Sequence, residues 1–231
     1  KFAAAMFAAF CLQIFPAAAG GLQVSPVTLE LPAKGGAGAL YIVNHGTEPV
    51  SVQVEAFAWR QGKSGETLVA SDAIAVSPPL AGLKPGQRQT VRLVVKPDPS
   101  ATAERSFRLI VSELPGVARA DAVRMLLRFS VPVFASGANA AAKVEWRAKS
   151  RPDGLWLVAH NTGTKRAKLR DLEFNLSGKG RFKSKTQLAY VLAGSTRIFR
   201  LSGSGIDLGT KIDIEARGLD NQMAPQASIV L

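Results

Sequence analysis

Residues 123–134 read Val-Arg-Met-Leu-Leu-Arg-Phe-Ser-Val-Pro-Val-Phe. One phase of the run, Val123, Met125, Leu127, Phe129, Val131 and Val133, is entirely apolar. The other holds Arg124, Leu126, Arg128, Ser130, Pro132 and Phe134. A two-residue period sends alternate side chains to opposite faces of an extended chain, so Val123–Phe134 reads as one strand with an apolar face. The run is longer than the usual strand of about 3–10 residues. Two readings stay open. It is the closing strand of a sandwich, its apolar phase turned to its own core, or it is an edge strand that lends part of that phase to another chain by β-addition.

The same alternation recurs on both sides. Ala39–Asn44 ends at His45-Gly46-Thr47, and Val50–Trp59 places Val50, Val52, Val54, Ala56 and Ala58 on one face. Ile74–Val76, Thr90–Lys96 and Phe107–Glu113 follow, while helical periodicity is nowhere sustained. Residues 136–143, Ser-Gly-Ala-Asn-Ala-Ala-Ala-Lys, lose the pattern, and 137–142 read as a linker. Strand-like runs then resume at Lys143–Arg147, Leu155–Asn161, Ala167–Ser177, Gln187–Val191, Thr196–Leu201, Lys211–Ala216 and Ala227–Leu231. The predicted fold is all-β: one sandwich over 20–136 and a second over 143–231. A faint echo links them, since Leu40–Val50 (LYIVNHGTEPV) resembles Leu157–Ala167 (LVAHNTGTKRA), each with Asn-x-Gly-Thr after an apolar strand.

Residues 1–19, KFAAAMFAAFCLQIFPAAA, carry a leading lysine, an apolar middle and a small-residue exit. That order is expected of a cleaved secretory signal peptide, and the apolar run is too short to span a bilayer comfortably. Cleavage would remove Cys11, the one cysteine of the 231 residues, so the exported protein is expected to hold together by core packing and to avoid stable membrane insertion.

The chemistry of catalysis is scarce. There are two histidines, His45 and His160, both beside turn asparagines. No phosphate-binding loop, dinucleotide fingerprint or nucleophile elbow appears, and the carboxylates are scattered. Neither an enzyme activity nor a metal nor a cofactor is expected. The formal charge is +12. Such a balance ordinarily suggests nucleic acid, but export argues against that partner. The basic run Lys165, Arg166, Lys168 and Arg170 is expected to be a solvated loop and strand edge, where charge discourages edge pairing.

An ordered set of motifs carries a resemblance. Asn44 follows the strand Tyr-Ile-Val, and Ser77-Pro78-Pro79 comes next. Leu83-Lys84-Pro85-Gly86-Gln87-Arg88-Gln89-Thr90-Val91-Arg92-Leu93 leads to Glu113-Leu114-Pro115 and then to Arg128–Ser136, RFSVPVFAS. In these features the chain resembles the periplasmic chaperones of the chaperone–usher pilus pathway, strongly over 22–136 and weakly over 143–231. The opening VSPVTLEL and the SVPVF ending look most like the branch that assembles thin, spore-coat-protein-U-like pili.

The resemblance implies two immunoglobulin-like domains in a boomerang and a function in the periplasm. It implies binding of pilin subunits by donor-strand complementation and delivery to an outer-membrane usher. The donor residues would be Val123, Met125, Leu127 and Phe129, with Val131. The family anchors the subunit's C-terminal carboxylate with an arginine and a lysine, but here those positions fall on Thr28 and near Pro132. Arg128 is the best substitute by strand phase, with Arg92, Arg88 and the Thr28 hydroxyl behind it. Arg92, Glu113 and Asp220 match positions that tie the two domains together by ion pairing. Self-association of the free protein through the long strand is a further expectation. The alternative is a secreted structural or adhesive protein of two β-sandwich domains.

Overall fold

A computed structural model describes residues 21–62, 65–116, 125–151, 154–176, 180–183, 188–201, 211–218 and 227–230. The leader at 1–19, Val123 and Asp220 lie outside the described residues. Every regular element among those described is a strand, and none of them forms a helix long and apolar enough to cross a membrane.

Two sheets build the first domain. One has the order β1(Leu22–Ser25), β3(Gly36–Asn44), β8(Arg88–Val95), β6(Ile74–Ser77). The other has the order β2(Leu29–Pro32), β10(Arg128–Ser136), β9(Arg105–Glu113), β4(Val50–Gly62), β5(Gly65–Ala70), and β7(Leu80–Leu83) also pairs with β4. Alternation decides what lies between the sheets. Leu40 and Ile42 of β3, Val91 and Leu93 of β8, Val52 and Val54 of β4, and Leu109 and Val111 of β9 form one buried cluster. Their polar neighbours in sequence, such as Thr90 and Arg92, point away from it.

The second domain repeats the plan. One sheet has the order β11(Val144–Arg151), β12(Gly154–Asn161), β16(Thr196–Leu201). The other runs β14(Gly180–Lys183), β13(Ala167–Leu176), β17(Lys211–Gly218), β18(Ala227–Val230), with β15(Leu188–Val191) also on β13. Trp146, Leu155, Leu157, Leu169, Val191, Phe199 and Ile212 fill its core.

Three sequence expectations change. Among the described residues the long strand runs from Arg128 to Ser136, and residues 125–127 precede it outside any strand. β5 was not anticipated, because every residue of Gly65–Ala70 is exposed and no buried phase marks it. The basic run at 165–170 is not simply solvated, since Arg166 is buried at 5%. Its guanidinium donates to Glu104 Oε2 at 2.5 Å and to Glu30 Oε1, and lies 3.6 Å over the ring of Phe134. Glu30, Glu104 and Phe134 belong to the first domain, so two carboxylates and an aromatic face desolvate a cation of the second.

Candidate edge-strand site at the domain junction

β10 decides what the first domain can offer a partner. On one side it pairs antiparallel with β9 from Arg128↔Ser112 to Ala135↔Arg105. On the other it pairs with β2, in parallel, only from Val133↔Leu29 to Ser136↔Pro32. Among the described residues no strand accompanies 128–132 on that second side. Unpaired N–H and C=O groups there form a template for another chain.

The apolar phase changes character along this edge. Val133 is fully buried and Val131 is 4% exposed, both in the domain's own core. Phe129 and Leu127 are half-buried and pack against that core from its rim. Met125 is 82% exposed. The expectation that Val131 serves a partner is therefore corrected: its side chain is enclosed by the sandwich. Leu127 and Phe129 remain partly accessible and Met125 is fully so.

Glu113 helps fix where the edge begins. Its N–H donates to Leu127 O at 2.8 Å, and its carboxylate accepts from Leu127 N at 3.3 Å. The main chain of Leu127 is thus held to β9 on the side facing the sheet. Of the expected interdomain set Arg92, Glu113 and Asp220, the last lies outside the described residues, and Arg92 and Glu113 form no ion pair with each other. Arg92 stands exposed on β8 of the opposite sheet, and the thickness of the sandwich separates the two. Among the described residues the domains are joined by Arg166 and by a second cluster in which Trp59 and Phe134 pack on Tyr190 and Leu192. Trp59 meets Tyr190 edge-on at 5.7 Å, and Phe134 lies 5.4 Å from the same ring. Gln61 completes the junction, donating to Tyr190 O at 3.0 Å and accepting from Leu192 N at 2.9 Å.

The expected anchoring residues scatter. Arg88 lies 3.9 Å over Tyr41 on the opposite sheet, and Arg92 shares that sheet, so neither reaches the free edge and both assignments are corrected. Arg128 is exposed at the first residue of β10. Thr28 stands just before Leu29, where β2 meets β10, and its hydroxyl donates to Val27 O at 2.9 Å.

Arg108, which sequence reasoning passed over, lies directly opposite Pro132 in the ladder. Its side chain is 18% exposed, with Nη1 donating to Ser130 Oγ at 3.3 Å and Nη2 at 3.8 Å from Glu66 Oε2. The guanidinium covers the Trp59 ring at 3.8 Å. Burial pushes its pKa below the ordinary arginine value, which Glu66 only partly offsets. Glu66 is itself engaged by Trp59 Nε1, Gln61 Nε2 and Arg197 Nη1, at 3.1, 3.2 and 3.1 Å. Arg108 is therefore a weakly neutralised cation beside the open end of β10. The only sequence signal for it was an arginine alternating with buried Phe107 and Leu109.

Residues 21–139 match a family model described as pili and flagellar-assembly chaperone, PapD N-terminal domain. No curated protein matches the sequence. Among solved structures, the chain resembles one from the CsuC–CsuE chaperone–tip adhesion subunit pre-assembly complex of archaic chaperone–usher Csu pili of Acinetobacter baumannii. The TM-score is 0.67 and the identity 26%, covering 90% of this chain and 97% of that one. The Salmonella enterica SafA pilin–SafB chaperone complex matches at TM-score 0.60 and 16% identity, over 91% and 96% of the two chains. The Pseudomonas aeruginosa CupB2 chaperone matches at 0.56 and 16%, over 90% and 98%. The latter two establish likeness of fold.

Proposed function

The chain belongs to the pili and flagellar-assembly chaperone family, and from that premise we propose that it is a periplasmic chaperone that binds pilin subunits by donor-strand complementation and delivers them to an outer-membrane usher. One observation carries the reading: among the described residues β10 leaves 128–132 unpaired on one side while its apolar phase rises from the core through Phe129 and Leu127 to exposed Met125. A subunit that lacks a strand would complete its sheet on this edge. Backbone bonds would supply affinity and alternate side chains would fill its groove. Each of Met125, Leu127 and Phe129 buried there would contribute about 1.5–3 kcal/mol, reduced by what Leu127 and Phe129 already bury at the rim. The likeness to the CsuC–CsuE structure supports a subunit of the archaic pilus type as the partner.

The anchor for a subunit carboxylate belongs in the same reading. An added strand must stop where β2 takes over the edge at Val133. Its end then stands beside Pro132, with Arg108 on the next strand. Burying a carboxylate there requires a donor, and Arg108 with Ser130 supplies one in place of the expected Arg128. The same free edge supports capping by a second copy before a subunit arrives, and the family membership supports the usher step.

The test is the native mass of the secreted protein, recovered with the products of its neighbouring genes. A stoichiometric complex with a small secreted protein, lost in Leu127→Glu, is expected. A lone chain or self-oligomer that ignores the substitution overturns the reading.

A further inference from the structure

The outer face of β11, β12 and β16 has no place in the edge-strand site. Core positions Trp146, Ala148, Leu155, Leu157 and Phe199 turn inward. Arg147, Lys149 and Arg151 of β11 therefore turn outward, beside Val158, Trp156 and Gly154 of β12 in the ladder. Ile198 and Arg200 of β16 complete the face, opposite Val158 and Trp156. Among the described residues the acid of these outward rows is Glu145 at one corner, 3.8 Å from Lys143 and opposite His160.

Lys149, Arg151, Trp156, Val158, Thr196 and Ile198 line a groove of about 420 Å³. Its floor is apolar, with Ile198 36% exposed and the guanidinium of Arg151 4.3 Å over the Trp156 ring. A neighbouring hollow shares Trp156, Thr196 and Ile198 and continues to Gln61 and Glu66 at the domain junction.

We propose that this face docks an acidic, extended polypeptide segment of a partner protein. Outward residues two apart on a strand repeat at about 6.6 Å, so Arg147, Lys149 and Arg151 form a row of cations with that period. Acidic side chains at every second position of an extended segment have the same period and meet the row one to one. A segment lying edge-on along the groove turns these acids toward β11 and its intervening apolar side chains the opposite way, over Trp156, Val158 and Ile198. Charge complementarity sets the sign of the partner and the recessed floor selects its alternation. A bilayer surface offers phosphates without this period and without side chains to enter the groove. The face lies in the second domain, apart from β10, so the proposal is independent of strand lending.

Fluorescence anisotropy with a short labelled peptide alternating glutamate and valine tests it. A second peptide of the same composition, with the glutamates and valines in two blocks, is the control. The purified protein is expected to prefer the alternating peptide. Replacing Arg147, Lys149 and Arg151 by glutamine should weaken it roughly tenfold, the combined worth of three exposed charge pairs. Ile198→Ser should weaken it while leaving the block peptide unchanged, and both variants should keep the native circular dichroism. Leu127→Glu should bind the alternating peptide as the native chain does. Equal binding of the two peptides, or indifference to the charge substitutions, overturns the proposal. So does cation-dependent binding to phosphatidylglycerol vesicles without peptide binding, which makes the face a membrane contact.

Discussion

Asn44 and Asn161, in different domains, share a set of three hydrogen bonds, to which Asn161 adds a fourth by accepting from Lys143 N at 3.1 Å. Each is buried at the end of a strand. The Asn44 amide donates to Glu48 O at 2.8 Å and Leu83 O at 3.2 Å and accepts from Gly46 N at 2.9 Å. That of Asn161 donates to Lys165 O at 2.8 Å and Val191 O at 2.9 Å and accepts from Gly163 N at 3.0 Å. The tight turn each one faces is also repeated: Gln87 N bonds Lys84 O and Ser195 N bonds Leu192 O, with Gly86 and Gly194 at positive φ. One corner device closes both sandwiches. It ties the end of a strand to the loop that feeds its neighbour, through a side chain with two donors and one acceptor, all used.

Removing the Asn44 amide takes this partner from two carbonyls and one N–H, and removing the Asn161 amide takes it from two carbonyls and two N–H groups, Gly163 and Lys143. Asn44→Ala and Asn161→Ala are each expected to cost about 1–3 kcal/mol or more, the penalty for buried polar groups left unsatisfied. Urea unfolding followed by tryptophan fluorescence checks this. Because the two sites share no contacts, the double variant should lose the sum of the single losses. Unchanged midpoints would mean that water replaces the side chain at these corners.

The apolar phase that leaves the core predicts a graded response to charge. Met125→Glu should alter stability by less than about 0.5 kcal/mol, as an exposed substitution does. Val131→Glu buries an unpaired charge and should cost more than about 4 kcal/mol. Leu127→Glu should fold and lose subunit capture. Thermal unfolding beside a pull-down of the co-expressed subunit separates the three. Capture retained by Leu127→Glu in a folded protein would remove this edge from the binding surface.

The alternation of Leu40–Asn44 and Phe107–Glu113 made the sandwich legible, because a buried phase on a two-residue period leaves no other arrangement. The echo between 40–50 and 157–167 pointed at the shared corner, because two of its three shared bonds are local, from Asn44 to Gly46 and Glu48 and from Asn161 to Gly163 and Lys165. What sequence missed depends on distant neighbours. β5 is exposed throughout and bears no phase. Arg166 looked like one of several solvated cations because Glu30, Glu104 and Phe134 are far away in the chain. Arg108 was hidden for the same reason, since its meaning comes from Pro132 across the ladder and Glu66 on another strand.

Glu104 carries a pH dependence. Burial raises its pKa above the ordinary 4.5, and Arg166 only partly opposes the shift. The folded state therefore holds this proton more tightly than the unfolded chain. The contribution of Glu104 is then most favourable below its ordinary value and falls as pH rises through its raised one. Relative to Glu104→Gln, the native chain should lose stability across mildly acidic pH on the way up. Glu104→Ala, which strips a partner from buried Arg166, should cost about 3–5 kcal/mol at neutral pH. Denaturant midpoints measured across pH test both. A stability difference that grows with pH would show that Arg166 dominates.

Arg108 leads to the most selective prediction, because its present neighbour competes with the proposed ligand. A subunit carboxylate arriving beside Pro132 would approach a guanidinium that already faces Glu66 Oε2 at 3.8 Å. Arg108→Ala should weaken subunit binding by about 1.5–3 kcal/mol, the worth of a hydrogen bond to a charged group. Arg88→Ala and Arg92→Ala, on the far sheet, should leave binding unchanged. Glu66→Gln should tighten it, since removing the competing negative charge leaves Arg108 and Arg197 freer to meet an incoming one. Amidating the C-terminus of a synthetic peptide copy of the subunit's last strand should abolish the difference between the native chain and Arg108→Ala. Calorimetry with the free-acid and amidated peptides measures all of these, and an Arg108→Ala loss that persists with the amide would make Arg108 a packing residue over Trp59 instead of an anchor.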